Sequence, residues 1–322
     1  LTTIQSYAFE NCSSLQTIQL PSTIRVMTQA FAGCTGLVEV EIPEGVSILD
    51  NTFMDCPNLS KVTLPSSLTT IGTQAFYHCS NLVSLHIPSG VTNIGSSAFR
   101  DCIALSNIVL PSGLTTLGEC VFQECRALSK IVLPNKLTSV PTQAFVNCQS
   151  LADVTLPVGL KSIGSSAFSG CGSLNTIQLP QGLTSIGDHA FSSCDGLTSL
   201  TIPSTVMSLG SSILSNSDGI TAINLLPLMP PTISSKTFSG APANMAINVL
   251  CGNKEFYVED ANWASYKDRM YEIPVAVLSV KASDNRMGEV IVVAPNTCTS
   301  DEATIQAIPR EGCEFVAWND GN

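Results

Sequence analysis

Charge is scarce in this chain, with only 12% of residues being Asp, Glu, Lys or Arg. The 14 Lys and Arg form no basic run, and the net charge is −11. Nucleic acid and anionic membrane are therefore not the expected partners. Histidine is scarcer still. His78, His86 and His189 fall in three different positions of the pattern described below, with no ligand or triad spacing among them, so each reads as a surface or edge residue and not a catalytic base. No apolar run approaches the ~18 residues of a membrane span, and no signal peptide opens the chain. Residues 1–4 correspond to 160–163, so the sequence starts inside a repeat, and it stops abruptly at 318–322. The expectation is a piece of a longer protein that lacks its N-terminal cap and any targeting segment.

What is present is repetition. Phe9, Phe31, Phe53, Phe76, Phe99, Phe122, Phe145, Phe168 and Phe191 are spaced by 22 twice and then by 23. A fixed period of this size marks a solenoid, whose core grows by adding coils. Three residues after each Phe stands a Cys, from Cys12 to Cys194, and three further on a Leu, from Leu15 to Leu197. A Pro, from Pro21 to Pro203, closes the short run that follows.

One copy can be read in detail. Residues 174–180 alternate as a short strand, with Ile177 and Leu179 inward and Thr176 and Gln178 outward. Pro180 cannot donate to a ladder and ends it. Residues 183–187 form a second, shorter extended piece that turns at Gly187, where glycine is expected to permit the backbone conformation. Residues 188–191 read as the start of one helical or 3₁₀ turn. A single coil buries about six large apolar side chains at ~1.5–3 kcal/mol each, too little to offset ~1–2 kcal/mol of backbone entropy per residue. Neighbouring coils must supply the rest. The predicted fold is a repeat solenoid, α/β with short strands and short helical or 3₁₀ turns and a parallel β ladder, of about ten coils over 1–240.

The pattern degrades after Pro203, where Leu214 and Ser217 replace Phe and Cys, and Pro227, Pro230 and Pro231 break the rhythm before Phe238. A helical C-terminal cap is expected over 241–273, with Phe256, Tyr257, Trp263 and Tyr266 as a lid on the open core. A ligand-stacking platform is the alternative for these aromatics. Residues 274–322 read as a small, truncated β module, in which Cys298 and Cys313 are candidates for a disulfide.

The Cys column admits three readings. Four thiolates would have to meet at ~2.3 Å from one zinc ion, which one thiol per coil in a straight stack cannot do. Disulfides between parallel, stacked Cβ vectors fit the required dihedral badly. The favoured reading is a reduced, small buried hydrophobe beside each Phe. Neither metal nor cofactor is expected, and with no paired carboxylates across a cleft or phosphate-cradling glycine loop, no catalysis.

The outward strand face remains. Glu39, Glu41, Lys61, Thr63, Ser84, His86, Asn107, Val109, Lys130, Val132, Asp153, Thr155, Thr176 and Gln178 vary in chemistry, whereas the inward positions do not vary in kind. These fourteen residues are the candidate partner-binding surface.

The columns in 174–180, 183–187 and 190–197 closely resemble the BspA-like class of leucine-rich repeats over about residues 1–240. Thr28, Asp50 and Pro141 depart from its corner Gly. Residues 312–321 resemble the end of an InlB B-repeat-like module. The first resemblance implies a cell-surface or secreted, non-enzymatic, adhesin-like protein. Its partner would be a host or bacterial surface protein, with a glycan as a further option. The alternative is a passive spacer presenting another domain.

Overall fold

A computed structural model describes residues 1–273, 288–294 and 304–309. The repeats wind into a parallel β-solenoid of about eleven turns. Each coil places a two- to five-residue strand on one face, from Thr17–Ile18 and Glu39–Glu41 to Ala246–Leu250 and Met270–Ile273. Pairing is parallel and in register, as with Glu39 opposite Lys61 and Glu41 opposite Thr63. One expected strand is missing. Residues 174–180 keep the alternation, with Ile177 buried between exposed Thr176 and Gln178, yet they pair with neither neighbour. Nothing in the local sequence explains the gap.

A second parallel ladder runs behind the first, made of two-residue strands. It is split into two four-stranded sheets, Ile48–Leu49 to Thr116–Leu117 and Ser139–Val140 to Ser208–Leu209. The split falls at Pro141. At this corner the Gly95, Gly118, Gly164 and Gly187 N–H groups each donate to the coil before, Gly118 to the Ile94 carbonyl at 2.8 Å. Proline has no N–H to give.

The corner glycines serve another purpose than the one the sequence suggests. None has a positive φ. Their requirement is closeness, because a Cβ on Gly118 would lie 2.2 Å from the Ser96 nitrogen and one on Gly95 2.6 Å from the Gly72 carbonyl carbon.

The third side of each coil also differs from expectation. The segment around each Phe is a chain of turns, and no coil contains a helix or 3₁₀ helix there. Positive φ two residues before and two after the Phe is the reason, as at Gln74 (49°) and His78 (56°) flanking Phe76. Such φ values interrupt a right-handed helix. They also turn alternate N–H groups along the solenoid, so that Gln74, Phe76 and His78 donate to Ser96, Ala98 and Arg100. This third hydrogen-bonded ladder replaces the bonds a helix would have made within one coil.

Inside it the Phe rings stack from Phe9 to Phe191, with centroids 5.1 to 5.7 Å apart and planes within 14°. Phe31 to Phe191 are completely buried, as are Cys34 to Cys194 of the column beside them. These cysteines are free thiols, and each donates back to the Phe carbonyl of the preceding coil, Cys102 to Phe76 and Cys148 to Phe122 at 3.1 Å. The thiol is thus a hydrogen-bond donor as well as a small apolar filler. Ser217 shows the point, since it stands in the Cys position, is fully buried and donates to the Phe191 carbonyl at 2.7 Å.

At the C-terminal end an α-helix, Lys254–Glu259, and a 3₁₀ helix, Ala264–Arg269, lie across the core. Tyr257 and Trp263 are fully buried and meet edge to face at 5.1 Å, while Phe238 meets Trp263 at 5.8 Å. The Tyr257 hydroxyl and the Trp263 indole N–H donate to the carbonyls of Pro227 and Pro231, both at 2.8 Å. The proline-rich interruption is therefore the anchor of the lid. Phe256 is not part of it, being 48% exposed. Beyond 273, Gly288–Ala294 and Thr304–Pro309 pair as an antiparallel hairpin. The expected Cys298–Cys313 bond lies outside the described residues.

Candidate partner-binding face

All fourteen residues singled out by the alternation are exposed on the strand side of the solenoid. Their partners beneath, Val40, Leu85, Ile108, Ile131, Val154 and Ile177, are buried, which is what fixes the orientation of the outward pairs. Twelve of the fourteen lie on hydrogen-bonded strands, whereas Thr176 and Gln178 lie on the unpaired segment.

The charged members are organised in pairs across neighbouring strands. Lys61 Nζ meets Glu39 Oε2 at 3.3 Å, and Lys130 Nζ meets Asp153 Oδ2 at 2.6 Å. With side chains 50 to 74% exposed, such pairs are worth ~0–1 kcal/mol each. Their effect is on surface chemistry more than on stability. Glu41 has no cation beside it. Between these pairs lie His86, Val109 and Val132, the two valines being 74% and 50% exposed.

Two shallow concavities open on this same face. The larger, about 710 Å³, is lined by Thr17, Gln19, Glu39, Glu41, Lys61 and Thr63 with neighbouring residues. The smaller, about 380 Å³, is lined by Asp153, Thr155, Thr176 and Gln178 among others.

Beyond Thr201, which the same alternation marks as outward, the row continues further than the sequence pattern reveals. Thr201, Asn224, Asn248 and Tyr271 stand in register on the four-stranded sheet Ser199–Ile202, Ala222–Leu225, Ala246–Leu250 and Met270–Ile273. Asn248 Nδ2 donates to Asn224 Oδ1 at 2.8 Å, and Asn224 Nδ2 to Thr201 Oγ1 at 3.2 Å. The register of 24 between Ala222 and Ala246 hides this row from a search at period 23. The Asn at matching strand positions was the available signal.

Chemistry of other kinds finds little to work with. Burial raises the thiols from Cys34 to Cys194, with Cys56 and Cys194 pushed up to about 12, so these stay protonated at neutral pH. Among the described residues no group of three or more His, Cys, Asp or Glu is placed to hold a metal ion. His78 sits 3.1 Å from Asp55 on the exposed turn side, remote in the pattern from His86 and His189. Glu44, its carboxylate held below the usual range by hydrogen bonds from the backbone and side chains of Ser66 and Ser67, fastens one loop to the next. No described helix is long and apolar enough to cross a membrane.

Similarity to known proteins follows the solenoid. The BspA type leucine rich repeat region matches over residues 2–129 and 119–244 in six copies. A leucine-rich repeat protein of Bacteroides ovatus has a similar structure, at 30% identity and TM-score 0.71, covering 78% of this chain. This chain spans 64% of that protein. A leucine rich cell surface protein of Faecalibacterium prausnitzii is also 30% identical, over 70% of this chain and 76% of its own, at TM-score 0.46. The pneumococcal vaccine antigen PcpA shares the fold at 22% identity and TM-score 0.54, over 86% of this chain and 85% of its own. No curated protein matches. The family match covers well over half of the chain and falls on the buried Phe–Cys–Leu columns and the in-register ladders, so the chain belongs to the BspA-type leucine-rich repeat family.

Proposed function

We propose that the chain is an adhesin-like scaffold that binds a protein partner, from a host or a bacterial surface, through the exposed face of its strand ladder. The observation that carries this reading is the coincidence of the two concavities with the outward residues whose chemistry varies from coil to coil. A solenoid face of this type offers an extended, rigid surface on which side chains can be changed without disturbing the core. Membership of a repeat-scaffold family supports binding over catalysis, and it is also the ground for a cell-surface or secreted location.

Replacing Glu39, Lys61, His86 and Lys130 together tests the reading. Against a panel of host-matrix and bacterial-surface proteins, the variant is expected to lose the binding that the parent chain shows. Binding that survives would move the site off this face. A parent chain that binds nothing on the panel would favour a passive spacer, a reading to which the internal pairing of Lys61 with Glu39 and Lys130 with Asp153 lends itself.

A further inference from the structure

The strand face changes character along its length. From Glu39 to Asp153 it carries five charges and a histidine, whereas Thr176, Gln178, Ser199, Thr201, Ala222, Asn224, Ala246 and Asn248 are all uncharged. This second half ends at Tyr271, which is 56% exposed and follows Asn248 in register. The strands beneath form the sheet of longest strands in the solenoid, four to five residues each.

We propose that this uncharged half is a binding row for a neutral oligosaccharide. The proposal rests on the strand face being the binding surface and adds a second class of ligand to it. The hydrogen bonds from Asn248 to Asn224 and from Asn224 to Thr201 fix both amide planes. They use one N–H of each amide. The second N–H of each, the Asn248 carbonyl oxygen and the Thr201 hydroxyl proton remain for a ligand, three donors and one acceptor along the row. A sugar hydroxyl, which both donates and accepts, can meet either kind of group. Tyr271 supplies a flat apolar surface with a polar tip, the shape on which a pyranose ring rests. Ser199, Ala222 and Ala246 in the adjacent row keep the floor low. From the concavity at Thr155 and Gln178 to Tyr271 the row spans five strand spacings, about 24 Å, room for an extended chain of several sugars. The row itself carries no charge, and the two charges beside its last strand are engaged elsewhere, Arg269 donating to the Pro242 and Ala243 carbonyls and Glu272 accepting from the Gly252 N–H. The strands that carry Asn224 and Asn248 are paired on both sides, so a peptide could not add there as a further strand.

The test is titration of the full chain with cellohexaose, mannohexaose and xylohexaose by calorimetry, at low and high salt. At least one should bind, with an affinity that salt leaves unchanged. Tyr271→Ala and Asn248→Ala should each weaken it about tenfold, Tyr271→Ala without moving the thermal midpoint because that side chain is exposed. Binding to none of the three, binding untouched by both substitutions, or binding that falls with salt would overturn the proposal. The fourfold variant of the charged half should retain oligosaccharide binding. Retention alongside loss of a protein partner separates the two sites, and loss of both in that variant would overturn the division between the halves. If the parent chain binds a protein and no sugar, only this inference fails.

Discussion

The Phe–Cys side and the strand face of each coil contain comparable lengths of chain, yet one is uniform and the other is not. On the first, eight Phe from Phe31 to Phe191 are fully buried and stacked, and each neighbouring thiol donates to the Phe carbonyl of the coil before. Any change must be absorbed by the coil before and the coil after, since interiors are close-packed and repeats touch only their neighbours. On the second, a side chain such as Ser84, Asn107 or Thr155 meets solvent, and the ladder beneath is indifferent to it. Repetition in this molecule reports constraint, and variation reports where selection for something else has room to act.

Four experiments would break or sharpen that contrast. Phe122→Ala, in the middle of the stack, should cost about 3–5 kcal/mol in denaturant unfolding, and a loss below that of an exposed-face substitution would contradict the packing described. Next in size is Cys148→Ala, which removes the second donor to the Phe122 carbonyl and should cost about 1–3 kcal/mol. Cys148→Ser should cost less, because Ser217 already performs that role, and equal losses for Ala and Ser would reduce the thiol to a filler.

The third concerns pH. Cys56 and Cys194 have thiols raised from 9.0 to about 12 by burial. Unfolded, they ionise from about pH 9, whereas folded they keep their protons to about pH 12, so the unfolded state binds fewer protons in that window. Stability is therefore intact below pH 9 and declines from pH 9 to 12. The same burial predicts that thiol reagents label the column slowly in the native chain and rapidly after denaturation. The smallest effect belongs to the face, where a double-mutant cycle on Lys130 and Asp153 should give a coupling of ~0–1 kcal/mol. A coupling well above that would mean the ion pair contributes to the fold after all.

The sequence discloses most of the scaffold because each coil solves the same burial problem. Period, inward positions and outward pairs all follow from Phe, Cys and Leu recurring in columns. Backbone features were harder to read. The turns at Phe76 or Phe99 resemble a helical start, because positive φ is adopted by Gln74, Ser97 and Cys120, residue types that do not announce it. Two residues after six of the nine Phe the signal was present, as Asn11, Gly33, Asp55, Asp101, Asn147 and Gly170 are the types that most readily adopt it. The corner glycines mislead in the opposite sense, their presence being set by the distance between coils. Thr176 and Gln178 alternate as a strand should and still remain unpaired, because alternation specifies which side is buried and says nothing about the neighbour's hydrogen bonds. Asn248 and Tyr271 were out of reach of a fixed period once the proline-rich stretch had shifted the register.

Pro141 gives the molecule a seam. In an array held together by contacts between adjacent units, the weakest junction sets where the array parts, and here one ladder stops at Leu117 and resumes at Ser139. The turn-side ladder still crosses this junction, Phe122 donating to Ala144, so the expected effect is local opening around Pro141. Amide exchange should therefore find a trough of protection at the centre of the chain, and Pro141→Gly should close it.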